Sequence, residues 1–180
     1  MTVYTIGHST RRFADYLAAL EEAGIEALVD VRRFPFSRRH PHFNGEALAA
    51  SLASAGIAYH HLVDLGGRRA AKRAARSPNT LWREPAFRAY ADYAEGAEFA
   101  AALARLKALA AERRTAIMCA EALWWQCHRR IITDYLLAAG IVVTHIIDIG
   151  KSEPARLTEG AAVRADGTLV YAGGQTELPV

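Results

Sequence analysis

The feature that most constrains this chain is an alternation. Five short apolar runs, at residues 3–6, 25–31, 57–62, 115–119 and 141–147, are separated by segments whose apolar residues recur at helical spacing. Short runs closed by polar residues or glycine read as buried strands, and the intervening stripes read as amphipathic helices. Phe13, Leu17 and Leu20 form the first stripe, after a capping Thr10 and before a stop at Gly24. Asn44 caps a second helix that runs through Ala55 to Gly56. Residues 87–114 predict a long helix broken near Gly96, and residues 125–139 predict a last one that carries Ile131, Ile132, Tyr135 and Leu136 inward. Strand and helix in strict alternation require right-handed crossovers. The expected fold is therefore a single α/β domain over residues 1–180, with a mainly parallel sheet of about five strands flanked by helices. Residues 150–180 read as a polar tail with a small hairpin, in which Ala162-Val-Arg and Thr168-Leu-Val-Tyr171 flank Ala-Asp-Gly.

An apolar content of 52% over 180 residues supplies a core and argues against disorder. No apolar stretch approaches the length of a membrane span, and the first residues lack the pattern of a signal peptide, so a cytoplasmic protein without a membrane partner is expected. Two cysteines, Cys119 and Cys127, cannot build a disulfide framework. The formal net charge is +3, but its distribution is uneven. Between Arg32 and Arg76 nine basic residues face only Glu46 and Asp64. Such a concentration suits an anionic small molecule or a nucleic acid as partner, and it equally suits solvated loops.

In parallel α/β sheets ligands bind beyond the carboxyl ends of the strands. Here those ends carry the polar motifs. The first strand closes with Gly-His8-Ser9, the second with Asp30-Val-Arg32, the third with His60-His61 and then Gly66-Gly67. The fourth closes with Cys119-Ala-Glu121, and the following helix is expected to open with Cys127-His128-Arg129. Cys127 in a first helical turn would feel the positive end of the helix dipole, with Arg129 adding charge, so its thiol should ionise early. On this reading Cys127, His128, Glu121 and His8 are the candidate catalytic residues. Ser9, Asp30, Arg32, Arg129, Gly66 and Gly67 are the candidates for holding an anion. Each has a plainer alternative: Asp30 and Arg32 as an ordinary ion pair, the glycine pair as a turn, His145 as a structural histidine, and Trp82, Trp124 and Trp125 as core rather than base-stacking surfaces. Cys119, Glu121, Cys127 and His128 are acceptable metal ligand types, but their spacing is poor and Arg129 opposes a cation, so no metal is assigned. The identity of any cofactor is left open by the sequence.

Taken together, Thr5-Ile-Gly-His-Ser9, Leu28-Val-Asp-Val-Arg32 with Pro35 and Ser37, Tyr59, Leu65-Gly-Gly67, Cys119-Ala-Glu121, Cys127-His-Arg129 and His145-Ile146 resemble the family catalogued as domain of unknown function 488. The resemblance covers nearly the whole chain. It implies that the His-Ser, Asp-x-Arg, Cys-x-Glu and Cys-His-Arg elements are the recurrent polar groups, and it implies no reaction. The leading expectation is an enzyme acting on a phosphate-bearing substrate, a nucleotide or nucleic acid. The alternatives are a non-catalytic nucleic-acid-binding protein and a thiol redox or metal-binding protein.

Overall fold

The computed structural model describes residues 1–69 and 77–173. Its main sheet has six strands in the order β3-β2-β4-β1-β5-β6. The first five, β1 (Thr2–Gly7), β2 (Ala27–Asp30), β3 (Ala58–His61), β4 (Thr115–Cys119) and β5 (Val142–Asp148), are parallel where they pair. The sixth strand, β6 (Lys151–Pro154), runs antiparallel to β5 and lies in the segment read from sequence as the start of a polar tail. Lys-Ser-Glu-Pro carries no apolar run because it is an edge strand, mostly exposed, and edge strands favour charge and proline. The expected hairpin is present as β7 (Ala161–Val163) and β8 (Leu169–Tyr171).

Helices cover both faces of the sheet. Helices α1 (Phe13–Glu22) and α2 (Gly45–Ser54) pack on one side, where Tyr16, Leu20, Leu48 and Leu52 meet Ile6, Leu28, Ala116 and Met118. Helices α3 (Pro85–Ala94), α4 (Ala97–Glu112) and α5 (Arg129–Ala138) pack on the other, where Tyr90, Phe99, Leu106 and Leu136 meet Val3, Val29, Ile117 and Cys119. The period of two along β4 decides this division: Ala116 and Met118 face one layer, Ile117 and Cys119 the other. The predicted break near Gly96 separates α3 from α4.

Three local expectations are corrected. The first helix is preceded by Arg12 as its cap residue, not Thr10, and no side chain caps it. Asn44 does stand at the cap of α2, but its Oδ1 accepts from the Ser37 amide at 2.7 Å instead of from the helix. The last helix starts at Arg129, after a short 3₁₀ turn over Trp124–Gln126. Cys127 therefore lies before the helix in extended backbone (φ −127°, ψ 147°), not in its first turn. Trp124, stacked on His145 and donating to Glu153, and the carbonyl contacts of Arg129 hold this segment as a separate turn, which a helical wheel cannot anticipate.

Candidate functional site

Because the strands run in register, their carboxyl ends meet at one level. The backbone ladder continues past them: the His8 amide donates to Cys119 O at 3.0 Å, Ser9 to Ala120 O at 2.9 Å, and Val31 to Met118 O at 2.9 Å. Above this edge lies a cavity of about 400 Å³. Its wall includes His8, Arg32, Glu121, Cys127 and His128, together with Gly67 and Cys119. Two glycines make the convergence sterically feasible. A Cβ at Gly7 would overlap the backbone of Glu121, and a Cβ at Gly67 would sit 2.9 Å from His128 Nδ1. Gly67 thus makes room for a histidine ring.

On the α1–α2 side of the sheet the site is an ion pair with supports. Asp30 is fully buried and accepts from Arg32 Nε at 2.9 Å and Nη2 at 2.6 Å, from the Arg32 amide at 2.9 Å, and from Tyr59 OH at 2.8 Å. Arg32 Nη2 also donates to Phe43 O at 2.7 Å, and Nη1 donates to His8 Nε2 at 3.2 Å. A guanidinium has five donor hydrogens, so one on Nη1 is left for a ligand. His8 Nδ1–H donates to Ser9 O at 2.9 Å, and its ring stacks on Phe43 with centroids 4.3 Å apart. Burial chiefly, aided by the Arg32 charge and opposed by the hydrogen bond to Ser9 O, brings its pKa from 6.5 to about 4. His8 is therefore neutral near pH 7, with its lone pair taken by Arg32. Ser9 adopts φ +47° and offers its carbonyl to His8, and its side chain is not in the cavity wall. Asp30 likewise meets the cavity only through Arg32.

On the α3–α5 side the site is built around sulfur. His128 Nε2–H donates to Val31 O at 2.9 Å, which fixes the tautomer and leaves the Nδ1 lone pair facing inward. Nδ1 lies 3.6 Å from Cys127 Sγ and 3.9 Å from Cys119 Sγ. Arg129 is buried at 1% exposure; its Nε donates to Cys127 Sγ at 3.4 Å, and Nη2 donates to the Glu121 and Ala122 carbonyls. Among the described residues no carboxylate lies within ion-pair reach of it. A buried guanidinium without a counter-charge is strongly unfavourable, so the adjacent sulfur is the group placed to carry one. Burial alone pushes the Cys127 thiol up, but the Cys119 S–H bond and the Arg129 guanidinium work against it and hold the thiol well below its ordinary value of 9.0. Cys119 moves the opposite way, first because it keeps the proton shared with Cys127 and then through burial. The two shifts are opposite in sign because one S–H can bridge the two sulfurs.

Cys119 Sγ, Cys127 Sγ and His128 Nδ1 all lie within 4.8 Å of one another, so they could hold a thiophilic ion. Sulfur and nitrogen on one tetrahedral zinc stand about 3.6 Å apart at usual bond lengths. Charge works against it. A divalent ion with two thiolates and a neutral imidazole is neutral, which leaves Arg129 uncompensated, whereas one thiolate balances Arg129 directly.

The rim contains residues that the motifs do not mark. Phe34 and Phe36 are 63% and 66% exposed, and Arg33, Arg68, Phe87 and Tyr90 join them in the wall. Two adjacent Phe residues around Pro35 in a basic stretch are the only sequence signal for them. Gly66 packs on the Arg33 backbone, and Arg69 folds back on Gly66 O and over the Tyr93 ring at 3.7 Å, so the pair opens a tight turn. Lys72, Arg73 and Arg76 lie outside the described residues. Trp82 is core, Trp124 stacks on His145 at 4.3 Å, and Trp125 is exposed. His145 pairs with Thr5 Oγ1 at 2.7 Å across β1 and β5.

The fold and this cavity define a three-layer α/β protein with a cysteine–histidine centre at the carboxyl edge of its sheet. The family model described as domain of unknown function DUF488 matches residues 10–136, and the chain belongs to that family. No curated protein and no solved structure matches it. No helix among the described residues is long and apolar enough to cross a membrane.

Proposed function

We propose that this protein is an enzyme that attacks a phosphate-bearing substrate, a nucleotide or a nucleic-acid end, with the Cys127 thiolate. The observation that carries the reading is the buried Arg129, whose nearest group able to bear negative charge is Cys127 Sγ at 3.4 Å. A thiolate is the nucleophilic form of cysteine, and Cys127, although packed into the α3–α5 core, also borders the cavity. The free Nη1 hydrogen of Arg32, with Arg33 and Arg68, supplies cations for the substrate, while Phe34 and Phe36 offer faces for a base. Arg129 does not reach the cavity and serves the sulfur instead. In the proposed step Cys127 Sγ bonds to phosphorus, the ester P–O bond breaks, and the leaving oxygen takes a proton from water in the cavity. A second water then attacks phosphorus and breaks the S–P bond, giving its proton to the His128 Nδ1 lone pair. His8 is a positioning residue for Arg32.

The test begins with the sulfur. Cys127 should alkylate at neutral pH, faster with anionic iodoacetate relative to iodoacetamide than a free thiol does, and inorganic phosphate should protect it. Phosphorylated nucleosides and oligonucleotides should then be turned over by the native chain and not by Cys127→Ser. A Cys127 that stays inert until the protein unfolds, or protection that phosphate does not give, would overturn the reading.

A further inference from the structure

The second sulfur has no part in that step. Cys119 ends β4 with its side chain directed into the same layer as α5, and it closes on Cys127 across the shared His128 Nδ1. We infer that Cys119 and Cys127 form a redox-active dithiol whose oxidant is a small hydroperoxide admitted through the cavity. The inference rests on the same Cys127 thiolate as the reading above, but not on its substrate.

Three observations carry it. First, the sulfurs lie within 4.8 Å, and a disulfide needs about 2.05 Å, so closure requires an approach of less than about 3 Å. Cys127 sits in extended backbone between a 3₁₀ turn and α5, where a side-chain rotation breaks no helical hydrogen bond of its own. Second, Nδ1 of His128 faces both sulfurs with its lone pair, so a base stands ready to take the Cys119 proton as that sulfur attacks Cys127. Third, access selects the oxidant. Cys119 and Cys127 are only 6% and 2% exposed, which excludes the disulfide of another protein, yet both border a cavity that admits small molecules.

The chemistry balances. The Cys127 thiolate attacks the distal peroxide oxygen, the O–O bond breaks, and the departing alkoxide or hydroxide takes a proton from water, replacing the one Cys127 lost to solvent on ionising, to leave as alcohol or water. This leaves a sulfenic acid on Cys127. Cys119 then gives its proton to His128 Nδ1 and attacks the Cys127 sulfur; the S–O bond breaks, and the oxygen leaves as water with the proton held by His128. Two thiols and one hydroperoxide become one disulfide, one alcohol or water, and one water.

The experiment uses the full chain and hydrogen peroxide. After stoichiometric peroxide, intact mass should fall by two hydrogens, and a non-reduced digest should join the Cys119 and Cys127 peptides. Dithiothreitol should restore both the mass and the alkylation of Cys127. In Cys119→Ser the sulfenic acid should persist at Cys127 and be captured by dimedone, and in Cys127→Ser the same dose should leave Cys119 unmodified. Direct overoxidation of Cys127 in the native chain without a crosslink would overturn the inference. So would thiols that react only after a chelator has been added, which would instead place a metal ion among the three donor atoms. Phosphate-ester turnover with no crosslink sinks this inference alone, and a crosslink with no turnover sinks the hydrolytic reading alone.

Discussion

Arg32 and Arg129 are both removed from water, at 5% and 1% exposure, and they stand on opposite faces of one sheet edge. Arg32 has a carboxylate partner, a carbonyl, a histidine nitrogen and one spare hydrogen. Arg129 has two carbonyls and a sulfur. The first is paired with a carboxylate at 2.6 Å, so its arrangement is complete without chemistry. The second is neutralised only if a thiol ionises. A buried arginine with its acid is architecture; a buried arginine without one reports on the ionisation of whatever it touches.

The contrast can be broken most forcefully at Asp30. Asp30→Asn keeps the shape but leaves Arg32 unpaired, and loss of one partner of a buried pair costs about 3–5 kcal/mol. Urea unfolding should show that loss, and a change below about 1 kcal/mol, the range of exposed pairs, would mean the pair is solvated. On the other face, Arg129→Met should slow Cys127 alkylation at neutral pH by about tenfold, the effect of one unit of thiol pKa. In a double-mutant cycle with Cys127→Ser, stability should show a coupling of about 0.5–3 kcal/mol. Additive effects would mean that the sulfur is not the counter-charge.

The pH dependence sharpens the same comparison. His8 beside Arg32 and His145 near Arg129 are both brought to about 4, chiefly by burial. A base whose folded pKa is lowered is protonated more readily in the unfolded chain. Its stabilisation is therefore complete above 6.5 and is lost as pH falls toward 4, by up to about 1.4 kcal/mol per pH unit for each group. His8→Gln should flatten that acid limb, and Arg129→Met should raise the NMR titration of His145 while leaving His8 unmoved. At the alkaline end the sulfurs act in opposite directions. Cys127, lowered, raises stability as pH climbs toward its unfolded value near 9.0; Cys119, raised, reduces it beyond that value. Cys127→Ser should remove the rise and Cys119→Ser the fall; the reverse assignment would show that the shared proton sits on Cys127. The smallest effect is expected at the rim: Phe34→Ser with Phe36→Ser should change stability by no more than about 0.5 kcal/mol per site. That pair should nonetheless weaken nucleotide protection of Cys127, and unchanged protection would remove the aromatic rim from the site.

Much of the fold was legible because it rests on periodicity. The apolar runs around Val3, Val29, Ile117 and Val143 alternate with helical stripes, and local spacing alone demands a covered parallel sheet. Edge strand β6 was not legible, since an exposed edge has no apolar pattern to read. The motifs at the strand ends placed His8, Arg32, Glu121, Cys127 and His128 on one rim because parallel strands bring their carboxyl ends together regardless of sequence separation. The roles within that rim were decided elsewhere. Whether an arginine finds an acid, whether a histidine keeps its lone pair, and which of two thiols holds the shared proton depend on groups that are distant along the chain and adjacent only in space. Burial then multiplies their effect: His128 meets Val31 O across 97 residues, and that one bond turns a ring nitrogen toward both sulfurs. The chain by itself determined that a polar rim would exist and which residues would stand on it. Only the tertiary structure, by removing two arginines from water and giving an acid to one of them, decided which sulfur carries the charge.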